Sequence, residues 1–330
     1  MANRSVRFYF RHPTNYSRSI EELFSTVINY CNAKFDCEIY RCEYGSGVLG
    51  RLKDIVKVGR LPRMINHITG DVHYLAFFLH KKDTILTIHD CNFVSRKISR
   101  LRKVVIKWFW YIIPVHRSKV ITTISEFSKK QIIEITHCKE NRIVVIPDCY
   151  SPIFSFIPKD MRKDCPQLLQ VGTGWNKNLE RVIEAVKGTN WQLNIIGELS
   201  QEQRNALSEG GITYSNYRNL SMEQVRDTYV QSDIVVFVSL YEGFGLPIVE
   251  AQAVGRPVVT SSIEPMIDVS GGSAALVNPY SSVDIHNAIQ RIIEDDSYRN
   301  ELIRRGFENS NKYSIDVIGG KYEELYNSFL

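Results

Sequence analysis

The sequence predicts an α/β protein built of two doubly wound halves. Three observations carry that expectation. The chain has 330 residues, room for two domains at about 150 residues each. Short apolar runs alternate with helical-period segments along both halves, the pattern of parallel sheets covered on both faces. Between Tyr150 and Gln167, prolines and charges replace that pattern, which marks a boundary. The expected division is 1–155, 156–312 and a last helical segment, 313–330. Hydrophobic residues at 44% and charged residues at 23% are enough for two real cores.

In the first half the strand candidates are Val6–Phe10, Glu38–Arg41, Val72–Ala76, Thr84–Ile88, Lys119–Ile124 and Arg142–Ile146. Helices are expected at Ser19–Tyr30 and Glu126–Thr136, the latter with Ser125 as N-cap. The second half reads as strands Leu168–Val171, Leu193–Ile196, Ile234–Val238 and Pro257–Thr260. Its helices are expected at Leu179–Val186, Ser221–Val230, Ile248–Val254 and Val283–Glu294. In open α/β sheets, ligands bind beyond the carboxyl ends of the strands.

The most specific stretch is SLYEGFGLPIVEAQAVGRPVV, Ser239 to Val259. A strand runs into a Gly243-Phe244-Gly245 loop, Pro247 suits the first turn of a helix, and Gly255 stops that helix. Backbone N–H groups at such a helix N-terminus favour phosphate. Glu242 and Glu250 frame the loop, placed to grip hydroxyls on either side of a diphosphate. Taken singly, each also reads as a solvated surface glutamate.

Glu242 to Glu250 resembles the E-x7-E signature of the retaining glycosyltransferases of the GT-B fold, family 4. Leu169 to Ala185, LQVGTGWNKNLERVIEA, resembles the strand–loop–helix that opens the nucleotide domain of that family, with Lys177-Asn178 matching its Lys-Asn pair. The segment after Pro279-Tyr280-Ser281 and the helix Tyr313 to Phe329 are also similar. The latter matches the closing helix that crosses back to the first domain. In the first half, Thr87-Ile88-His89-Asp90, Thr123 to Phe127 and Val144 to Pro147 fit the family's strand ends.

The resemblance implies two Rossmann-like domains facing across a cleft, with donor on one wall and acceptor on the other. It implies transfer of a sugar from a nucleoside diphosphate with retention, so the site must stabilise charge growing on the diphosphate. Lys177 is the candidate cation, assisted by backbone at Gly245 and Leu246. Glu250 would hold the ribose, while Glu242 with the Phe244-Gly245 backbone would hold the sugar. His89 would reach that sugar from the first domain. The donor set is completed by Gly172, Thr173, Asn178, Gly197, Tyr214 and Gly243, and the acceptor side by Thr69, Gly70, Asp71 and Asp90. The leaving phosphate is the expected base. No D-x-D triplet occurs, so no metal and no further cofactor are expected. His67 and His73 fit zinc-ligand spacing only loosely.

The chain departs from the family pattern in three places. The loop Arg usual before the Lys is absent, and Gly172-Thr173 stand there instead; Arg11 or Arg18 are candidate replacements. The Gly-rich loop after the first strand is replaced by Arg11 to Ser17. Asp268 stands where members often have Glu. The missing Arg keeps a catalytically silent, nucleotide-sugar-binding subunit open as an alternative, and an epimerase of related fold is a second. Donor base, acceptor and linkage are not encoded in any readable motif.

The net charge of +5 is divided unevenly. Residues 1–165 hold 28 Lys and Arg against 15 Asp and Glu; residues 166–330 hold 13 against 21. A basic first half suits an anionic partner, whether a phosphate-bearing acceptor, a membrane surface or nucleic acid; no nucleic-acid motif accompanies it, and a glycan or lipid-linked glycan acceptor is what the resemblance implies. Residues 96–113 join a basic helix candidate to Trp108-Phe109-Trp110-Tyr111, the ingredients of a helix lying on a bilayer. A helix packed into the sheet is the competing reading. Seven cysteines without a C-x-x-C pair, and an N-terminus lacking an apolar signal segment, point to a reducing, cytoplasmic setting, free or peripheral at the membrane. The resemblance adds bacterial surface-polysaccharide synthesis as the expected pathway.

Overall fold

A computed structural model describes residues 5–12, 19–44, 47–91 and 99–330. Arg18, and residues 96–98 of the basic segment, lie outside them. The chain forms two compact units. The first contains the described residues up to Cys149 together with Ile315–Leu330, and the second is Tyr150–Ser314. The division thus comes six residues before the expected 155. The linker already belongs to the second unit at Tyr150, whose N–H bonds the Tyr313 carbonyl at 3.3 Å. Phe154, four residues on, packs edge-on against Tyr229.

In the first unit the elements are β1 (Ser5–Phe10), α1 (Ser19–Cys31), β2 (Asp36–Arg41), α2 (Val48–Val58), β3 (Ile65–Ile68) and β4 (Thr84–Ile88). They continue with α3 (Arg100–Ile106), α4 (Ile113–Arg117), β5 (Val120–Thr123), α5 (Glu126–Thr136) and β6 (Ile143–Val145). The strands pair in parallel in the order β2-β1-β3-β4-β5-β6. Every residue of β1 is buried, because helices cover both faces. Val6, Phe8 and Phe10 face one cluster, which includes α1 and the C-terminal helix; Tyr9 faces the other. That alternation is the period of two of a strand.

One strand expectation fails. Val72–Ala76 lies in a 3₁₀ turn, His73–Phe77, and the strand is β3, seven residues earlier. Its central residues, Asn66 and His67, are polar, so it carries no apolar run. Both are nonetheless buried because both are satisfied. Asn66 accepts from Tyr9 Oη at 2.8 Å, and His67 hydrogen-bonds Tyr326 Oη (2.8 Å) and Thr87 Oγ1 (2.7 Å). Burial pushes the His67 imidazole down to about 3.

The second unit runs β7 (Gln167–Val171), α6 (Leu179–Val186), β8 (Gln192–Ile196), α7 (Gln201–Glu209), β9 (Tyr214–Tyr217) and α8 (Met222–Gln231). It continues β10 (Ile234–Phe237), α9 (Leu246–Val254), β11 (Val258–Ser261), α10 (Met266–Ser270), β12 (Ala275–Val277), α11 (Ser282–Glu294) and α12 (Asp296–Ser310). Its sheet is parallel, ordered β12-β11-β10-β7-β8-β9. Helix α13 (Ile315–Asn327) then returns to the first unit. There Ile318, Tyr322 and Tyr326 bury against Phe8, Phe24 and His67.

The basic segment has two faces. A π-helical stretch, Lys107–Ile112, links α3 to α4. Trp110, Tyr111 and Val115 pack toward the core, whereas Leu101, Val104, Val105, Trp108 and Phe109 are exposed, Leu101 by 76% and Trp108 by 50%. The packed-helix reading thus holds for Trp110, Tyr111 and Val115, while the opposite face stays exposed. No Asp or Glu occurs between Cys91 and Ser125. Among the described residues, no helix is long and apolar enough to cross a membrane.

Candidate active site

Strands β7 and β10 are neighbours, so the loops leaving their carboxyl ends lie side by side. The loop after β7 is built around Lys177. Gly172 has φ +88°, and a Cβ there would stand 2.9 Å from Lys177 Cγ; only glycine lets the lysine stem cross so close. Buried Gln170 donates to the Lys177 carbonyl at 3.0 Å and to that of Gly172 at 3.2 Å. These contacts aim the ammonium at the second loop, where Nζ lies 2.7 Å from Glu242 Oε1 and 4.7 Å from the Phe237 ring centroid.

Asn176, which no sequence signal singled out, joins the same group. Its Nδ2 donates to Glu242 Oε1 (3.2 Å) and to the Tyr241 carbonyl (3.0 Å), and its own carbonyl accepts from Leu240 N–H at 2.7 Å. Gly245, at φ +114°, turns the chain into α9, as the Gly-Phe-Gly reading requires. Phe244 points inward, edge-on to Tyr313 at 5.4 Å. Its backbone is therefore the part left for a ligand. Glu250 sits in α9, 9% exposed, and accepts from Tyr229 Oη at 2.6 Å.

The rim extends to β8. Thr173 Oγ1 donates to the Glu198 carbonyl at 2.5 Å, and Gly197 N–H to that of Tyr217 at 2.9 Å. Two candidates fall elsewhere. Tyr214 opens β9, opposite Leu193, so it lies at the amino end of the sheet. Tyr217 and Arg218 occupy the carboxyl end, with Arg218 paired to Glu198 at 3.0 Å. Asn178 is 1% exposed, and its Nδ2 donates to the carbonyls of Val238 (2.9 Å) and Pro279 (2.7 Å). It ties three loops together and faces none of the site.

In the first unit, Thr69, Gly70 and Asp71 follow β3, and His89 and Asp90 follow β4, again at carboxyl ends. His89 Nε2 donates to the Thr69 carbonyl at 2.8 Å, so its Nδ1 edge is the one turned elsewhere. Asp148, missed in the sequence, stands 3.9 Å from that Nδ1, its carboxyl pushed above the usual range by burial. Asp71 is bound by Arg11, which also holds Glu21 at 2.8 Å. With two carboxylates as partners, Arg11 is not a spare cation for a diphosphate. Asp90 offers its carbonyl to Tyr111 Oη at 3.1 Å. His73 Nδ1 donates to the Trp110 carbonyl at 2.6 Å; it and His67 are core residues with partners from different elements.

Residues 156–309 match the family model described as Glycosyl transferases group 1. The second unit belongs to that family. Similarity to curated relatives of this group 1 unit reaches beyond it. The chain is 26% identical over 225 residues to O-antigen chain mannosyltransferase B of Escherichia coli, covering 60% of this chain and 57% of that one. It is 28% identical over 263 residues to the capsular polysaccharide biosynthesis glycosyltransferase CapM of Staphylococcus aureus, covering 70% and 69%. Among solved structures, Anabaena Alr3699/HepE in complex with UDP and glucose superposes with a TM-score of 0.79 at 14% identity, over 98% of this chain and 99% of that one. WaaG, a glycosyltransferase involved in lipopolysaccharide biosynthesis, gives 0.72 at 12%, over 97% and 99%. The group 1 unit and its partner thus share the GT-B fold of these glycosyltransferases.

Proposed function

We propose that the protein is a retaining, metal-independent glycosyltransferase that moves a sugar from a nucleoside diphosphate sugar to a glycan or lipid-linked glycan. The observation that carries this reading is the Lys177–Glu242 contact, with Asn176 on the same carboxylate oxygen, beside the N-terminus of α9. Lys177 supplies the positive charge that a departing diphosphate needs, and the α9 N-terminus adds its dipole. Glu242 orients the sugar, and Glu250 takes the ribose hydroxyls. His89 serves the transferred sugar, and Thr69, Gly70, Asp71 and Asp90 make up the acceptor side. With Arg11 held by Glu21 and Asp71, Lys177 acts without a second cation from that residue. The phosphate leaving group deprotonates the acceptor, so no protein base is assigned.

Support for the donor class comes from the UDP and glucose named with Alr3699/HepE. Support for bacterial surface polysaccharide as the pathway comes from the O-antigen and capsular relatives. The exposed, acid-free face of α3 and the π-helical stretch supports work at the cytoplasmic surface of a membrane, where a lipid-linked acceptor resides. The test is turnover of α-linked nucleotide sugars in EDTA with a lipid-linked glycan acceptor, with the product's anomeric configuration read by NMR. An α-linked product formed in EDTA supports the reading. A β-linked product, or release of nucleoside diphosphate only with added divalent metal, contradicts it.

A further inference from the structure

Glu250 carries the ribose in this reading, yet a carboxylate on a helix has freedom at three torsions. The structure removes that freedom from another element. Tyr229, on α8, is fully buried and donates its hydroxyl to Glu250 Oε2 at 2.6 Å. Phe154 packs edge-on against the Tyr229 ring, centroids 5.5 Å apart, so the phenol cannot swing away. We propose that Tyr229 is a positioning residue for donor recognition, fixing the Glu250 carboxylate in the orientation that meets the ribose diol. This rests on the donor-site reading above.

The chemistry suits the task. A phenol hydrogen-bonded to a carboxylate makes one of the stronger neutral-to-charged contacts. It engages one oxygen and narrows the torsional range of the carboxylate, so the group is held close to one orientation. Burial and the neighbouring Glu250 raise the Tyr229 phenol well above its ordinary value, so it stays a donor throughout the working pH range. A phenylalanine keeps the ring and its contact with Phe154 and removes only the hydroxyl.

The test is calorimetric titration of the full chain, wild type, Tyr229→Phe and Glu250→Gln, with the four ribonucleoside diphosphates and their 2′,3′-dideoxy counterparts. A purely structural role for Tyr229 would weaken both nucleotide series equally, whereas a positioning role acts only where hydroxyls are present. The expected result is a loss of about tenfold in ribonucleotide affinity for Tyr229→Phe, with dideoxy affinity unchanged within about twofold. An equal loss in both series, or no loss in either, overturns the inference. The Glu250→Gln variant separates the two layers. If it binds ribo and dideoxy forms as wild type does, or if wild type binds no ribonucleotide, the donor-site reading itself falls. If it loses ribose discrimination while Tyr229→Phe retains it, only the role of Tyr229 falls.

Discussion

Lys177 Nζ stands 2.7 Å from Glu242 Oε1, the contact that joins the loop after β7 to the loop after β10. Two neighbouring parallel strands deliver these groups, and a glycine beneath the lysine stem sets the reach. Both side chains are mostly buried, 23% and 14% exposed.

Replacing Lys177 by Ala should therefore lower turnover at least about 100-fold, the scale seen when one stabiliser of developing charge is removed. The fold should lose about 1–3 kcal/mol, since Glu242 keeps Asn176 but is left mostly buried without its cation. Steady-state kinetics beside denaturant unfolding checks this. Turnover within tenfold of wild type would assign the diphosphate to another group.

Stability should fall with acid because of His67. Its folded value, about 3, lies below the ordinary 6.5 of an exposed imidazole. Between those limits the unfolded chain binds the extra proton, so lowering pH from about 6.5 towards 3 removes stability, by up to about 1.4 kcal/mol per pH unit. Above pH 7 the effect is absent. Burial shifts His73 in the same direction. Urea unfolding at pH 7, 6, 5 and 4 should show a shallower pH slope for His67→Gln than for wild type. Equal slopes would mean that His67 titrates normally.

The apolar face of α3 and the π-helical stretch should bind anionic bilayers. Leu101, Trp108 and Phe109 are exposed, and the surrounding segment contains no acidic residue. Co-sedimentation with vesicles containing about one third phosphatidylglycerol should retain wild type at low salt and release it as salt rises. Changing the three residues to Ser should abolish retention while leaving thermal stability within a few degrees. Equal retention of both proteins would mean that this face does not bind the bilayer.

Much of this was legible in the sequence, for definite physical reasons. The helix α9, its Gly245 entry and its Gly255 stop follow from local chemistry, as do the Ser125 cap of α5 and the apolar strands β7, β8 and β10. What escaped depends on partners distant in sequence. β3 is invisible because Asn66 and His67 look unfit for burial until Tyr9, Thr87 and Tyr326 are in place. Short β9 and β12 and the polar helices α7 and α12 carry too weak a pattern. At the site, the Gly-Phe-Gly loop and Lys177 announce themselves. Asn178, by contrast, reads as a ligand contact in the sequence because its partners, the carbonyls of Val238 and Pro279, lie 60 and 101 residues away. Tyr214 sits at the wrong end of its strand, which no spacing reveals. Asn176 and Tyr229 gain meaning only through the carboxylates they touch.

A nucleoside diphosphate sugar site on the second unit is open to a thermal-shift measurement in EDTA. Wild type and Glu250→Ala would be heated with a panel of nucleoside diphosphates and nucleotide sugars at high concentration. A ligand at 100 times its dissociation constant adds about 2.7 kcal/mol. One base series should raise the melting temperature of wild type by several degrees and leave Glu250→Ala unmoved. Equal stabilisation of both proteins, or none of wild type by any member of the panel, would contradict it.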